Sequence, residues 1–124
     1  MALINWAFLC DYAYADGVEK AYIMGTFENI SLSSLPAIFP RLFVVFEVKM
    51  AADESCDFAV VVTSPSGIEL AGDKALGIAP ADVGKSIQTF GFYNMEFSET
   101  GEHRATIFID GISYHFIPFT VRIY

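Results

Sequence analysis

The stretch Ile4-Asn-Trp-Ala-Phe-Leu-Cys-Asp-Tyr-Ala-Tyr14 decides the fold, because its bulky side chains recur at every second position. One parity carries the large residues, and the other carries Asn5, Ala7, Leu9, Asp11 and Ala13. A period of two over this length predicts a long β-strand with one bulky face.

The residues that follow predict a hairpin and then a third strand. Asp16-Gly17 marks a turn, and residues 20–32 are predicted to return as the second strand, with Gly25 at a bulge or close backbone approach. Residues 33–41 are predicted to be a connection, because their two prolines remove amide donors. Residues 42–50 form the third predicted strand.

Five further strands are predicted from short apolar runs between turn residues. They cover residues 58–63, 68–76 (broken at Gly72), 87–97, 104–109 and 112–123, the last two joined by an Asp110-Gly111 hairpin. Pro118 places the last strand at an edge or a bulge. We therefore expect one all-β domain over residues 1–124, an antiparallel, immunoglobulin-like β-sandwich of about 7–8 strands.

Several of these segments resemble the bacterial DUF6941 family, a domain of unknown function. The resemblance rests on an aromatic-rich strand with Leu9-Cys10-Asp11, a second strand with Gly25-Thr-Phe27, a third that begins after Pro40-Arg41, and the C-terminal stretch from Asn94 to Gly111. His103 departs from the family pattern, in which a tyrosine is expected. The resemblance implies no activity, cofactor or catalytic residue.

Composition and charge narrow the classes of partner. The apolar fraction is 54% and the formal net charge is −8. Because the basic residues are scattered, we expect no nucleic-acid partner and no membrane partner. The apolar excess predicts a homo-oligomer, with a dimer favoured, besides a protein partner whose identity the sequence does not give. The N-terminal residues do not resemble a signal peptide, so a cytoplasmic location is expected.

No pattern of side chains predicts catalysis or metal binding. Cys10, Cys56, His103 and His115 lack the close spacing of a zinc site, and no nucleophile elbow or nucleotide-binding glycine motif occurs. We expect no catalytic residue, no metal ligand and no cofactor, and a protein that is not an enzyme.

Two groups of residues are candidates for a site. Asp11 interrupts an apolar strand, and we interpret it either as a structural ion pair with Arg41 or as a ligand contact. Tyr114, Phe116 and Phe119 lie in a last strand that is apolar at both parities, so they are candidates for an interface.

The function hypothesis that follows is a non-enzymatic β-sandwich domain for protein interaction and self-association. The alternative is a module that binds carbohydrate or another small ligand, for which exposed tyrosines would supply a platform. A small metal-dependent hydrolase is the third reading, and it requires acids and histidines that converge in one pocket.

Overall fold

Nine β-strands in two sheets make up the described part of the chain, in a computed structural model that describes residues 2–15, 20–51, 53–78 and 84–124. The first sheet has the order β2-β1-β4-β7 and the second has the order β3-β9-β8-β5-β6. The strands are β1 (Leu3–Ala15), β2 (Ala21–Thr26), β3 (Asn29–Leu32), β4 (Ala37–Lys49), β5 (Ser55–Thr63), β6 (Glu69–Ile78), β7 (Lys85–Phe97), β8 (Gly101–Ile109) and β9 (Ile112–Ile123).

These strands confirm the all-β class and the antiparallel pairing. The pairing between β3 and β9 is the parallel one. One strand more than the eight predicted arises because residues 20–32 form two strands, and the two belong to different sheets. The Asp16-Gly17 turn lies outside the described residues.

The main core lies between the sheets and is rich in phenylalanine. Phe46 of β4 stacks on Phe90 of β7 and meets Phe58 of β5 edge-on, so both sheets contribute to one aromatic cluster. Residues 42–48 of β4 are buried at both parities. A central strand that is covered on both faces needs apolar side chains at both parities, which this segment supplies except at Glu47.

A second, smaller cluster covers the outer face of β4. It contains Cys10, Phe43, Val45 and Ile87, together with alanines and isoleucine from the distal half of the β1–β2 hairpin, namely Ala13, Ala15, Ala21 and Ile23. β1 also contacts β7, although β4 lies between them in the sheet. The first sheet therefore curls, and the hairpin folds over its outer face.

Among the described residues, Pro40 in β4 and Pro118 in β9 lie inside strands, at positions where a backbone hydrogen bond to a neighbouring strand is absent. Pro40 lies in β4, which begins at Ala37 rather than at the predicted residue 42. β4 pairs with β1 only from Phe43 onward, so Pro40 faces no β1 partner.

Gly72, where a break was predicted, pairs with Val61 inside a continuous β6.

The Asp110-Gly111 hairpin is confirmed. Asp110 has φ 51° and Gly111 has φ 80°, the left-handed pair that a tight two-residue turn requires. The Asp110 Oδ1 atom accepts a hydrogen bond of 2.8 Å from the Asp57 amide, which ties the turn to β5.

Candidate functional site

On one side of the molecule, the edges of β1 and β9 are paired with a neighbouring strand over only part of their length. β2 pairs with β1 between Cys10 and Ala15, and β3 pairs with β9 between Thr120 and Ile123. Among the described residues, residues 3–8 of β1 and 112–119 of β9 have no partner on this side. We call this pair of free strand edges the seam.

The chain passes from the first sheet to the second at the end of the seam. This crossing segment, residues 26–29, is held at both ends by backbone hydrogen bonds. The Phe27 amide donates to the Leu9 carbonyl at 3.2 Å, and the Thr120 amide donates to the Glu28 carbonyl at 2.9 Å. A cleft of about 540 Å³ lies beside it, lined by Ala7, Phe8, Leu9, Thr26, Phe27, Glu28, Asn29 and Ile117.

The hydrogen bonds of the crossing segment also fix which backbone groups face the seam. Successive residues of a strand direct their amide and carbonyl to opposite sides, so the Leu9 bond means that Ala7 also presents its backbone to the free edge of β1. By the same argument from Thr120, Pro118 and Phe116 face the free edge of β9. Pro118 therefore removes no hydrogen bond from the β8–β9 ladder, which agrees with its predicted edge position.

Large apolar side chains border the seam. Phe8 is 42% exposed, Tyr114 is 42% exposed and Phe116 is 43% exposed. The Arg104 guanidinium lies 4.3 Å from the centroid of the Phe116 ring. Exposed aromatic residues grouped beside an unpaired backbone are unusual on a surface that meets only water.

Phe119, the third residue of the expected interface, lies in the core instead. It is 1% exposed and packs between Phe97 and His103. The reason is parity, because Phe119 pairs with the inward-facing His103 and Phe116 pairs with Thr106 on the opposite face. Because β9 carries apolar residues at both parities, the sequence alone does not show which of Phe116 and Phe119 is buried.

Asp11 and Arg41 line one cleft on the other side of the crossing segment. This cleft has a volume of about 520 Å³ and also contains Phe39, Pro40 and Tyr93. The Arg41 guanidinium lies 5.5 Å from the centroid of the Tyr12 ring. Among the described residues no ion pair or hydrogen bond engages the Asp11 carboxylate, and its role as an ion pair or a ligand contact remains a prediction.

The side chains that most often carry catalysis are dispersed. His103 is fully buried, with Nδ1 3.1 Å from the Gly101 carbonyl oxygen, whereas His115 is exposed on β9. Ser64 and Ser66 belong to a turn in which the Ser66 hydroxyl donates to Glu99 at 2.6 Å, and that bond lowers the pKa of Glu99. Within the described ranges, no three His, Cys, Asp or Glu side chains are grouped as metal ligands.

The family that a sequence model matches is the same family that the N-terminal and C-terminal segments resemble. A family model described as "Family of unknown function (DUF6941)" matches residues 5–122. The chain belongs to the DUF6941 family. The match includes most of β1, the crossing segment and most of β9, so nearly all of the seam lies within the family domain. No curated protein matches the chain.

A solved structure shares the fold. It is the Pseudomonas fluorescens alkylpurine DNA glycosylase AlkC bound to DNA containing an abasic site analog, with a TM-score of 0.50 and 14% sequence identity. The match covers 77% of this chain and 27% of the glycosylase chain. At this identity the likeness concerns the fold alone.

The expected partners are corrected at this point. The exclusion of nucleic acid rested on the scattered basic residues, and it is wrong as a general exclusion, because a chain with a similar fold is part of a DNA complex. The expected homo-oligomer has no support among the described residues. No helix in the described ranges is long and apolar enough to cross a membrane.

Proposed function

We propose that the chain is a non-enzymatic interaction domain, built as an immunoglobulin-like β-sandwich, that binds an extended polypeptide segment at the seam. The observation that carries this proposal is the free edge of β1 beside a cleft of about 540 Å³ with both apolar and polar lining. An extended segment that joins a free edge gains main-chain hydrogen bonds, and its alternate side chains enter adjoining pockets.

The β1 edge is the better acceptor of the two edges of the seam. Ala7 directs both a donor and an acceptor to the free edge of β1, whereas Pro118 has no amide to offer on β9. Both edges have a register shift, on β1 between Ile4 and Trp6 and on β9 opposite Ile107 and Phe108, so the shifts do not distinguish them. Proline is one of the features by which proteins protect an edge from added strands, and the described free part of β1 contains no proline.

The bound segment would continue the line of β2. Its side chains of one parity would enter the cleft against Leu9, Phe27 and Ile117, and those of the other parity would lie toward Phe8. A basic segment suits the surface, because the chain carries a net charge of −8 and Glu28 lines the cleft.

A displayed library of random peptides, selected on the immobilised protein, tests the proposal. We expect enriched peptides with alternating apolar residues and a positive charge. Their synthetic copies should slow hydrogen exchange at the Ala7 amide. Phe8→Ser should weaken binding, and Ala7→Pro should abolish it by removing the seam-facing donor. Leu76→Ser, which alters an exposed apolar residue on β6, is the matched control and should bind like the unmodified chain.

Two results would overturn the proposal. One is enrichment of peptides that leave the exchange of the Ala7 amide unchanged. The other is tight binding by an Ala7→Pro variant whose circular dichroism spectrum and urea midpoint match those of the unmodified chain.

Nucleic acid is the second candidate, and the likeness to a DNA-bound glycosylase favours it. Arg104 and Phe116 would be the contacting pair, since arginine and aromatic side chains are what single-stranded nucleic acid stacks on. Glu102 lies 3.2 Å from the Arg104 guanidinium and offsets its charge, which ranks this function second. Fluorescence anisotropy with labelled single-stranded and abasic duplex DNA decides it. Salt-dependent binding that Arg104→Ala removes supports DNA, and no binding in low salt excludes it.

A further inference from the structure

We infer that the cleft around Asp11 and Arg41 is a binding site for a small neutral carbohydrate. The site lies across the crossing segment from the seam, so it is separate from the site of the proposed function. Asp11 stands where two clefts meet, one of about 520 Å³ and one of about 270 Å³. The smaller cleft adds Thr26, Asn29 and Ser31 as polar lining.

The exposed Asp11 carboxylate lies directly beside the backbone of Gly25 on the neighbouring strand. Gly25 has φ +70°, and a Cβ atom on it would lie 2.5 Å from Asp11 Oδ2. The absence of a side chain at Gly25 therefore leaves room for the carboxylate. Within the described residues no cation or donor engages that carboxylate, so both of its oxygens can accept hydrogen bonds from a ligand.

Arg41 and the aromatic residues complete a set of groups that suits a sugar. The guanidinium lies over the Tyr12 ring, which holds it at the edge of the cleft as a donor. Phe39 and the exposed Tyr93 line the same cleft. The half-buried Phe39 packs against Phe27 and Phe97. Tyr93 is therefore the ring that would meet the C–H side of a pyranose, while Asp11 would accept hydrogen bonds from two adjacent hydroxyl groups.

The size and the charge of the site narrow the ligand class. A cleft of about 520 Å³ falls within the range of small-molecule sites and is open enough for one or two sugar rings. The Asp11 charge and the net charge of −8 disfavour an acidic sugar. A neutral monosaccharide or disaccharide is therefore the expected occupant.

Titration followed by amide chemical shifts tests the inference. The probes are glucose, galactose, mannose and N-acetylglucosamine, with glucuronic acid as the charged comparison. We expect at least one neutral sugar to give saturable shifts at Asp11, Arg41 and Tyr93 with millimolar affinity, and glucuronic acid to bind more weakly. Asp11→Asn should weaken binding about tenfold, because the charged acceptor is lost. Glu96→Gln makes the same charge change on exposed β7 and should have no effect.

Three outcomes would overturn the inference. The first is the absence of saturable shifts with all four neutral sugars up to about 100 mM, well above a millimolar dissociation constant. The second is an Asp11→Asn variant that keeps its fold and binds with unchanged affinity. The third is glucuronic acid binding as tightly as the neutral sugars. Peptide binding at the seam can be measured on the same variants, so the two proposals fail or succeed separately.

Discussion

Each of the two cysteines is buried in a different hydrophobic cluster. Cys10 belongs to the smaller cluster outside β4, and Cys56 belongs to the main core. Burial raises the pKa of Cys10 from 9.0 to about 11, and burial together with the nearby Asp110 raises that of Cys56 to about 11. Both are free thiols that remain protonated at neutral pH.

We predict that neither cysteine reacts with a thiol reagent in the folded protein at pH 8. The thiolate is the reactive form, and both burial and the raised pKa suppress it. Ellman's reagent should therefore detect no rapid reaction in buffer and two thiols per chain in 8 M urea. Rapid reaction of either thiol in the folded protein would contradict this prediction.

The same cysteines predict a loss of stability at alkaline pH. A thiol whose pKa is higher in the folded state than in the unfolded state has no effect on stability below pH 9. Between pH 9 and 11 the unfolded chain loses its proton first, and the folded state is disfavoured. The expected loss is about 2 kcal/mol per thiol at pH 11. Urea unfolding at a series of pH values measures this loss. The Cys10→Ala variant should lack the part of the loss that comes from Cys10.

Gly25 is the residue where we expect a small substitution to have a large effect. Gly25→Ala should lower the free energy of unfolding by about 1–3 kcal/mol, since it puts a side chain in the left-handed region and close to Asp11. In an Asp11→Ala background the steric part of the loss should disappear and the backbone part should remain. Unchanged urea midpoints in both backgrounds would show that the position tolerates a Cβ atom.

The sequence distinguished Asp11 as unusual, but the choice between its two roles depended on residues far along the chain. Asp11 and Gly25 face each other only because β2 pairs with β1 in a particular register. Phe119 and Phe116 could not be separated for a related reason. Their burial depends on which face of β9 the first sheet covers.

At the scale of elements, Glu47 joins three neighbouring strands of the first sheet. It lies on β4, accepts a hydrogen bond of 2.9 Å from Asn5 on β1, and lies 3.3 Å from the Lys85 ammonium on β7. Only 9% of the residue is exposed. A buried carboxylate near the C-terminal end of a central strand is therefore stabilised by one partner on each side.

Glu47→Ala should lower the free energy of unfolding by about 2 kcal/mol, because it leaves the Asn5 amide and the Lys85 ammonium without their shared acceptor. Glu47→Gln keeps an oxygen for Asn5 and should lose less. Lys49→Ala, on an exposed position of the same strand, serves as the control and should change stability by less than about 0.5 kcal/mol. A Glu47→Ala variant as stable as this control would contradict the prediction.

Strand periodicity located most elements to within a few residues, and the exceptions share one cause. Residues 20–32 have the composition of a single strand, yet the chain bends near Glu28 and enters the other sheet. Alternation reports which residues share a face, but it carries no information about which sheet a strand joins. The sequence predicts Pro40 in a connection for the same reason, since the strand position that tolerates it depends on where β1 stops pairing with β4.

At the scale of the whole molecule, the seam should be visible in hydrogen exchange. The Ala7 and Phe116 amides face the free edges and should exchange rapidly, whereas the neighbouring Phe8 and Ile117 amides face β4 and β8 and should be protected. Exchange measured residue by residue by NMR checks this alternation. Uniform protection along residues 3–8 would mean that the β1 edge is already paired in solution.

The seam could not be predicted from the sequence. Its exposed phenylalanine and tyrosine residues were visible as an apolar excess, and that excess was interpreted as a self-association surface. The open edges, by contrast, follow from the short lengths of β2 and β3, each of which covers only part of the strand beside it.

The crossing segment has a thermodynamic consequence. Thr26, Phe27 and Asn29 line both the cleft at the seam and the smaller cleft beside Asp11. A ligand that displaces these residues from one side changes the wall presented to a ligand on the other side. Each ligand must then change the affinity of the other by the same factor, whichever of them binds first. The four residues of the crossing segment would thus couple binding at two otherwise separate surfaces.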